Sequence, residues 1–104
     1  MKKAFFEEEL KKIVIRLKEI YKPEKIILFG SLARGDENPN DVDLLLVKDK
    51  VPFLGVDRIR EVSALFKHRI AVDTLVYTPS EFESLSKFDP FVKLIIKEGR
   101  VLYG

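Results

Sequence analysis

The run Asp41-Val-Asp-Leu-Leu-Leu-Val47 constrains the chain more than any other segment. From Val42 to Val47 it is almost wholly aliphatic, which reads as a largely buried strand. Yet two carboxylates flank Val42 at its start, and aspartate disfavours strands. A carboxylate near a core costs several kcal/mol unless it is paired or metal-bound. In a strand, residues two apart share a face and lie roughly 6.5–7 Å apart along it. Asp41 and Asp43 therefore aim their carboxylates at one region of space.

The surrounding pattern alternates between helical and extended periods. Phe6, Leu10, Ile13, Leu17 and Ile20 recur at helical steps, so an amphipathic helix is expected from about 3 to 21, ended by Lys22-Pro23. Lys25 to Phe29 reads as a strand closed by Gly30, and 31–35 as one or two helical turns. Residues 36–40 are polar turn formers. Val51 to Leu54 is an apolar loop that either folds onto the core or faces a partner. Val56, Ile59, Val62 and Phe66 mark a second amphipathic helix, and Ile70 to Tyr77 a third strand. Thr78-Pro-Ser-Glu81 has capping-box spacing with proline at the first helical position. Asp89-Pro90 opens a last helix that turns Val92, Ile95 and Ile96 inward and stops at Gly99. Residues 101–103 add a terminal strand. The order α-β-α-β-α-β-α-α predicts an α/β or α+β domain, with helices packed on a small mixed sheet.

With 104 residues the chain has room for one domain, 1–104. The 46% hydrophobic and 35% charged residues are those of an ordinary soluble globular protein. A net charge of +2 is too small for a nucleic-acid footprint, so direct nucleic-acid binding is not expected and phosphate binding must be local. With no cysteine, disulfides and thiolate metal sites are excluded. His68 is the sole histidine, sits between Lys67 and Arg69, and reads as a surface cation at a helix end. Neither an apolar leader nor a membrane-length apolar run is present, and the expected location is cytoplasmic.

Asp73 interrupts Ile-Ala-Val-Asp-Thr-Leu-Val-Tyr. If this strand lies beside the second, Asp73 joins Asp41 and Asp43. Three convergent oxygen ligands suit a hard cation, Mg2+ or Mn2+, completed by substrate phosphates. Gly30-Ser31 lies between a strand and a helix, where a backbone without Cβ can approach a phosphate and free N–H groups point outward. Ser31 adds a hydroxyl donor, and Arg34, one turn on, a positive charge.

Leu-Phe-Gly-Ser-Leu-Ala-Arg-Gly, nine residues between Ser31 and Asp41, then Asp-Val-Asp-Leu-Leu-Leu-Val, resembles the nucleotidyltransferases of the DNA polymerase β superfamily. The likeness covers essentially the whole chain and is closest to the minimal nucleotidyltransferases, often the antitoxin half of a two-gene module beside a HEPN-type protein. It implies a polymerase β-like nucleotidyltransferase fold. It also implies that Gly30 and Ser31 hold a triphosphate, that Asp41 and Asp43 ligate one or two Mg2+, and that Asp73 completes a second metal site and favours deprotonation of the attacking hydroxyl. The implied reaction transfers a nucleoside monophosphate, AMP from ATP, to a protein hydroxyl, with a HEPN-type protein as the natural acceptor. Asn40 and Leu32 depart from residues common in the family. Two other functions compete: a catalytically silent nucleotide-binding antitoxin that acts by complex formation, and a metal-dependent phosphohydrolase, which the Gly-Ser turn disfavours. Tyr21, Tyr77 and Tyr103 read as packing residues, and Lys48-Asp-Lys50 as a solvated turn.

Overall fold

A computed structural model describes residues 2–65 and 69–104. The expectations for Phe66 and His68 fall outside the described residues. The elements are α1 (Lys2–Arg16), β1 (Lys25–Phe29), α2 (Gly30–Ala33), β2 (Asp41–Val47), α3 (Gly55–Ser63), β3 (Ala71–Tyr77), α4 (Pro79–Phe88), α5 (Pro90–Glu98) and β4 (Arg100–Tyr103). The strands form one sheet in the order β3-β2-β1-β4. β1 pairs antiparallel with β2 and β4, while β2 and β3 run parallel, joined by the α3 crossover. The mixed α/β architecture is the one the element order predicts.

β2 is central, and its aliphatic run is buried because side chains on both faces meet helices. On one face Val42, Leu44 and Leu46 pack with Phe6, Leu10, Ile13 and Leu17 of the first helix and Val62 of α3. On the other, Leu45 and Val47 pack with Ile27 and Ile95, and Phe29, Leu75, Tyr77 and Phe82 border them.

Three sequence expectations need correction, at Ile20, in the α3 stripe and at Ile96. After Arg16 the first helix widens into a π-helical turn, Leu17–Tyr21, closed by the Lys22 N–H donating to Leu17 O at 2.8 Å. The wider turn brings residue i+4 onto the buried face in place of i+3, so Tyr21 is buried and Ile20 is exposed. Among the described residues of the apolar stripe expected for α3, only Val62 is buried; Val56 and Ile59 face outward, and Arg58 is buried instead. Its guanidinium donates to Pro52 O at 2.6 Å, Val76 O at 3.0 Å and Glu81 Oε1 at 2.7 Å, which satisfies the charge that burial would otherwise penalise. In α5, Val92 and Ile95 are buried but Ile96 is exposed. α5 stops at Gly99, as expected, with the glycine at φ −77°. Glycine is required there by proximity: a Cβ would sit 2.5 Å from Ile95 O and 2.8 Å from Leu28 O. In the apolar loop, Val51 packs on the core, whereas Phe53 is 91% exposed and Leu54 is exposed too.

Both predicted caps are present. Thr78 Oγ1 accepts from Glu81 N at 3.2 Å while Thr78 N donates to Glu81 Oε1 at 2.8 Å, and Asp89 Oδ1 accepts from Phe91 N and Val92 N. Tyr21 and Tyr77 pack within or against the two cores, while Tyr103 is exposed with Lys18 Nζ 5.2 Å from its ring centroid. Among the described residues no helix is long and apolar enough to cross a membrane.

Candidate functional site

β2 begins at Asp41, so Asp41 and Asp43 belong to the strand itself and share the face that Leu45 and Val47 bury further along. The parallel register of β2 and β3 aligns Asp43 with Asp73. Side chains paired across adjacent strands lie on the same face. Three carboxylates thus meet, and one oxygen from each lies within 4.8 Å of the others. Asp41 and Asp43 are half-buried and Asp73 is exposed, so the cluster is open to a ligand on one side.

The cluster is electrostatically unfavourable by itself. Burial first, then the neighbouring charges of Asp41 and Asp73, push the Asp43 carboxyl up to about 6, while Arg34 acts in the opposite direction. A carboxylate that resists ionisation because two others face it is what a cation would relieve. The donor set is all oxygen, as Mg2+ or Mn2+ require. The three residues therefore fit a divalent cation by chemistry and by spacing.

Gly30 ends β1 and opens the single turn of α2 with φ +79°, a conformation that favours glycine. A Cβ at this position would run into the Asp43 carboxylate. Its bare backbone is what allows Asp43 to sit against the strand end. Ser31 and Arg34 follow on the same turn and its cap; Arg34 is exposed, with Asp36 Oδ2 3.9 Å from its guanidinium. The structure thus brings Gly30 to the triad, and Arg34 close enough to lower the Asp43 pKa.

An apolar hollow of about 170 Å³ adjoins this turn, lined by Phe29, Gly30, Arg34, Phe91, Leu94 and Glu98 among others. Phe29 and Phe91 meet edge to face with centroids 5.9 Å apart. Nothing in the sequence reading pointed to Phe91 or Leu94. The available signal was that α5 carries more apolar residues than one buried stripe can absorb.

The profile of the nucleotidyltransferase domain family matches residues 10–103. A Methanocaldococcus jannaschii protein named "Putative protein adenylyltransferase" is 34% identical over 100 residues, spanning 93% of this chain and 97% of that one. The solved structure of a "putative nucleotidyltransferase" from Sulfolobus solfataricus superposes with a TM-score of 0.64 at 23% identity, covering 96% of this chain and 81% of the other, and shares the fold. With the Gly-Ser turn, the paired aspartates and the third aspartate all inside the matched span, the chain belongs to the nucleotidyltransferase domain family.

Proposed function

We propose that this nucleotidyltransferase moves AMP from ATP to a hydroxyl of a protein, with a HEPN-type partner as the candidate acceptor and an antitoxin role following from that modification. The observation that carries the transfer is the convergence of Asp41, Asp43 and Asp73 within 4.8 Å beside Gly30. The preference for a protein acceptor is supported by the name of the Methanocaldococcus jannaschii relative. The HEPN-type partner and the antitoxin role rest on the family resemblance.

Asp41 and Asp43 hold a divalent cation from β2, and Asp73 adds its carboxylate from β3. Bound Mg2+ or Mn2+ supplies positive charge against the triphosphate and against the entering and leaving oxygens. Ser31 and Arg34 receive the triphosphate at the end of β1, and the hollow against Phe91 offers the nucleoside an apolar wall. Asp73, the most open of the three carboxylates, accepts the proton of the acceptor hydroxyl. The new bond forms between that oxygen and the α-phosphorus, the bond from the α-phosphorus to the bridging oxygen breaks, and pyrophosphate leaves.

The test is incubation with Mg2+, α-labelled ATP and a co-purified HEPN-type protein, for the wild type and for Asp41→Ala/Asp43→Ala. Label on protein that is lost in the variant supports the reading. Partner neutralisation that survives in the variant moves the function to complex formation. Release of orthophosphate instead of pyrophosphate moves it to hydrolysis.

A further inference from the structure

Among the described residues Phe53 is the most exposed large apolar side chain, and it stands on a tethered backbone. The buried Arg58 guanidinium donates to Pro52 O at 2.6 Å and to Phe53 O at 3.4 Å. The same guanidinium reaches Val76 O at 3.0 Å and Glu81 Oε1 at 2.7 Å. Val76 and Glu81 line an open hollow of about 650 Å³ at the C-terminal end of β3, with Tyr77, Ser84 and Leu85 among its walls and Phe53 on its rim. One buried cation thus fixes both a projecting ring and the hollow beside it. Leu54, Val56 and Ile59 are exposed next to the ring. Charges on the two bordering helices are paired with opposite sign, Asp57 with Arg60 at 3.6 Å on α3 and Glu83 with Lys87 at 3.4 Å on α4. The surface therefore carries both signs, and a second copy of it meets no net repulsion.

We propose that two copies of the chain pair about a twofold axis through this surface, the Phe53 ring of each entering the hollow of the other. A ring in water beside an unfilled hollow makes one surface both knob and hole. A twofold operation exchanges the two and leaves neither uncovered. A partner of different structure would have to bring its own projection and its own cavity at the same spacing, whereas a second copy has both. Because Arg58 holds the Phe53 backbone and the hollow wall together, that spacing is set before contact, and little conformational freedom is lost on docking. Two buried phenylalanines remove roughly 300–500 Å² from water, against the roughly 1,200 Å² at which stable specific interfaces begin. With Leu54, Val56 and Ile59 added, the pair is a reversible dimer with a dissociation constant in the micromolar range. The carboxylates lie toward the other end of β3, since Asp73 precedes Tyr77 by about 13 Å along the strand. Both cation sites stay open in the pair, and the inference does not depend on the proposed transfer.

The test is equilibrium sedimentation of the full chain across the micromolar range, for the wild type, Phe53→Ser, Ser84→Trp and an equal mixture of the two variants. Phe53→Ser removes the knob and Ser84→Trp fills the hole. Both positions are exposed, so the variants keep the wild-type circular dichroism. The wild type passes from monomer to dimer as its concentration rises. Each variant alone associates about a hundredfold or more weakly, because each loses two central aromatic contacts per dimer. The mixture recovers a dimer of intermediate affinity: the Ser84→Trp chain still carries Phe53, and the Phe53→Ser chain still has an open hollow to receive it. A wild type that stays monomeric overturns the proposal, as does a dimer that neither substitution weakens. Variants that fail to complement each other overturn the knob and the hole, and assemblies larger than two overturn the closed twofold. A wild type that is monomeric alone but binds the acceptor protein through Phe53 assigns the surface to that protein and overturns the pairing of like chains.

Discussion

Replacing Asp43 by asparagine makes the metal-free protein more stable while destroying its cation site. Asp43 is held up to about 6 by burial and by Asp41 and Asp73, against an ordinary value of 3.8. The folded state therefore binds the proton more tightly than the unfolded one. The stability linked to that proton is complete below about 3.8 and is lost as pH rises through about 6. A shift of two units corresponds to roughly 3 kcal/mol at the upper limit. Water reaches this half-buried cluster and screens it, which leaves on the order of 1–2 kcal/mol. Asparagine matches the shape, carries no charge and donates to Asp41 as the protonated acid would. In a domain of this size the gain raises Tm by about 5–10 °C at pH 8 in EDTA. Thermal unfolding followed by circular dichroism at pH 8 and at pH 4.5 reads it directly. The gain shrinks at the lower pH, where Asp43 is itself mostly protonated. Adding Mg2+ narrows or reverses the difference at pH 8, because the cation stabilises only the form that binds it. An Asp43→Asn protein no more stable than wild type at pH 8 in EDTA, or equally favoured at both pH values, refutes the electrostatic account.

The remaining tests address the turn, the buried cation, the cap and the pH response. Gly30→Ala forces a Cβ into the Asp43 carboxylate at φ +79°, and transfer falls by about a hundredfold as the triad is displaced, measured as kcat/KM with labelled ATP. Arg58→Ala leaves Glu81 and the Pro52 and Val76 carbonyls without their donor and costs about 3 kcal/mol in urea unfolding. Asp89→Ala removes the acceptor for Phe91 N and Val92 N and costs about 1 kcal/mol in the same assay. Because a cation must expel the Asp43 proton below about pH 6, Mn2+ affinity followed by calorimetry weakens by up to about tenfold per pH unit below that value and levels off above it.

Features set by neighbouring residues were legible from the sequence, and features set by distant partners were not. Thr78-Glu81 and Asp89-Pro90 announce helix starts because a cap is satisfied within three residues. Asp41 and Asp43 announce a shared face because a strand has a period of two. The buried stripe of α3 was missed because Arg58 is made tolerable by Glu81, which lies 23 residues further on, and no local apolar period reveals a buried cation. The displacement of Ile20 by Tyr21 was missed because a π-turn leaves no mark in a pattern of apolar residues.

Asp73 lies between these cases, and the site depends on it. Its presence in a strand was visible, but its place in the triad requires β3 to run parallel to β2 with Asp73 beside Asp43. A slip of one residue would send Asp73 to the face occupied by α1 and α3 and put Val72 or Thr74 among the carboxylates. That register is set by the α3 crossover, whose Val62 is buried in the core under β2 and whose Arg58 grips Val76 O on β3. Arg58 therefore anchors, from a position remote from the carboxylates, the strand that carries the third ligand. Relaxing this anchor should loosen cation binding as well as lower stability. Arg58→Lys, which keeps the charge but loses the forked geometry, separates the two. It is expected to weaken Mn2+ binding even at temperatures where the fold remains intact by circular dichroism. Undiminished Mn2+ affinity in that variant would mean that the register is held without Arg58.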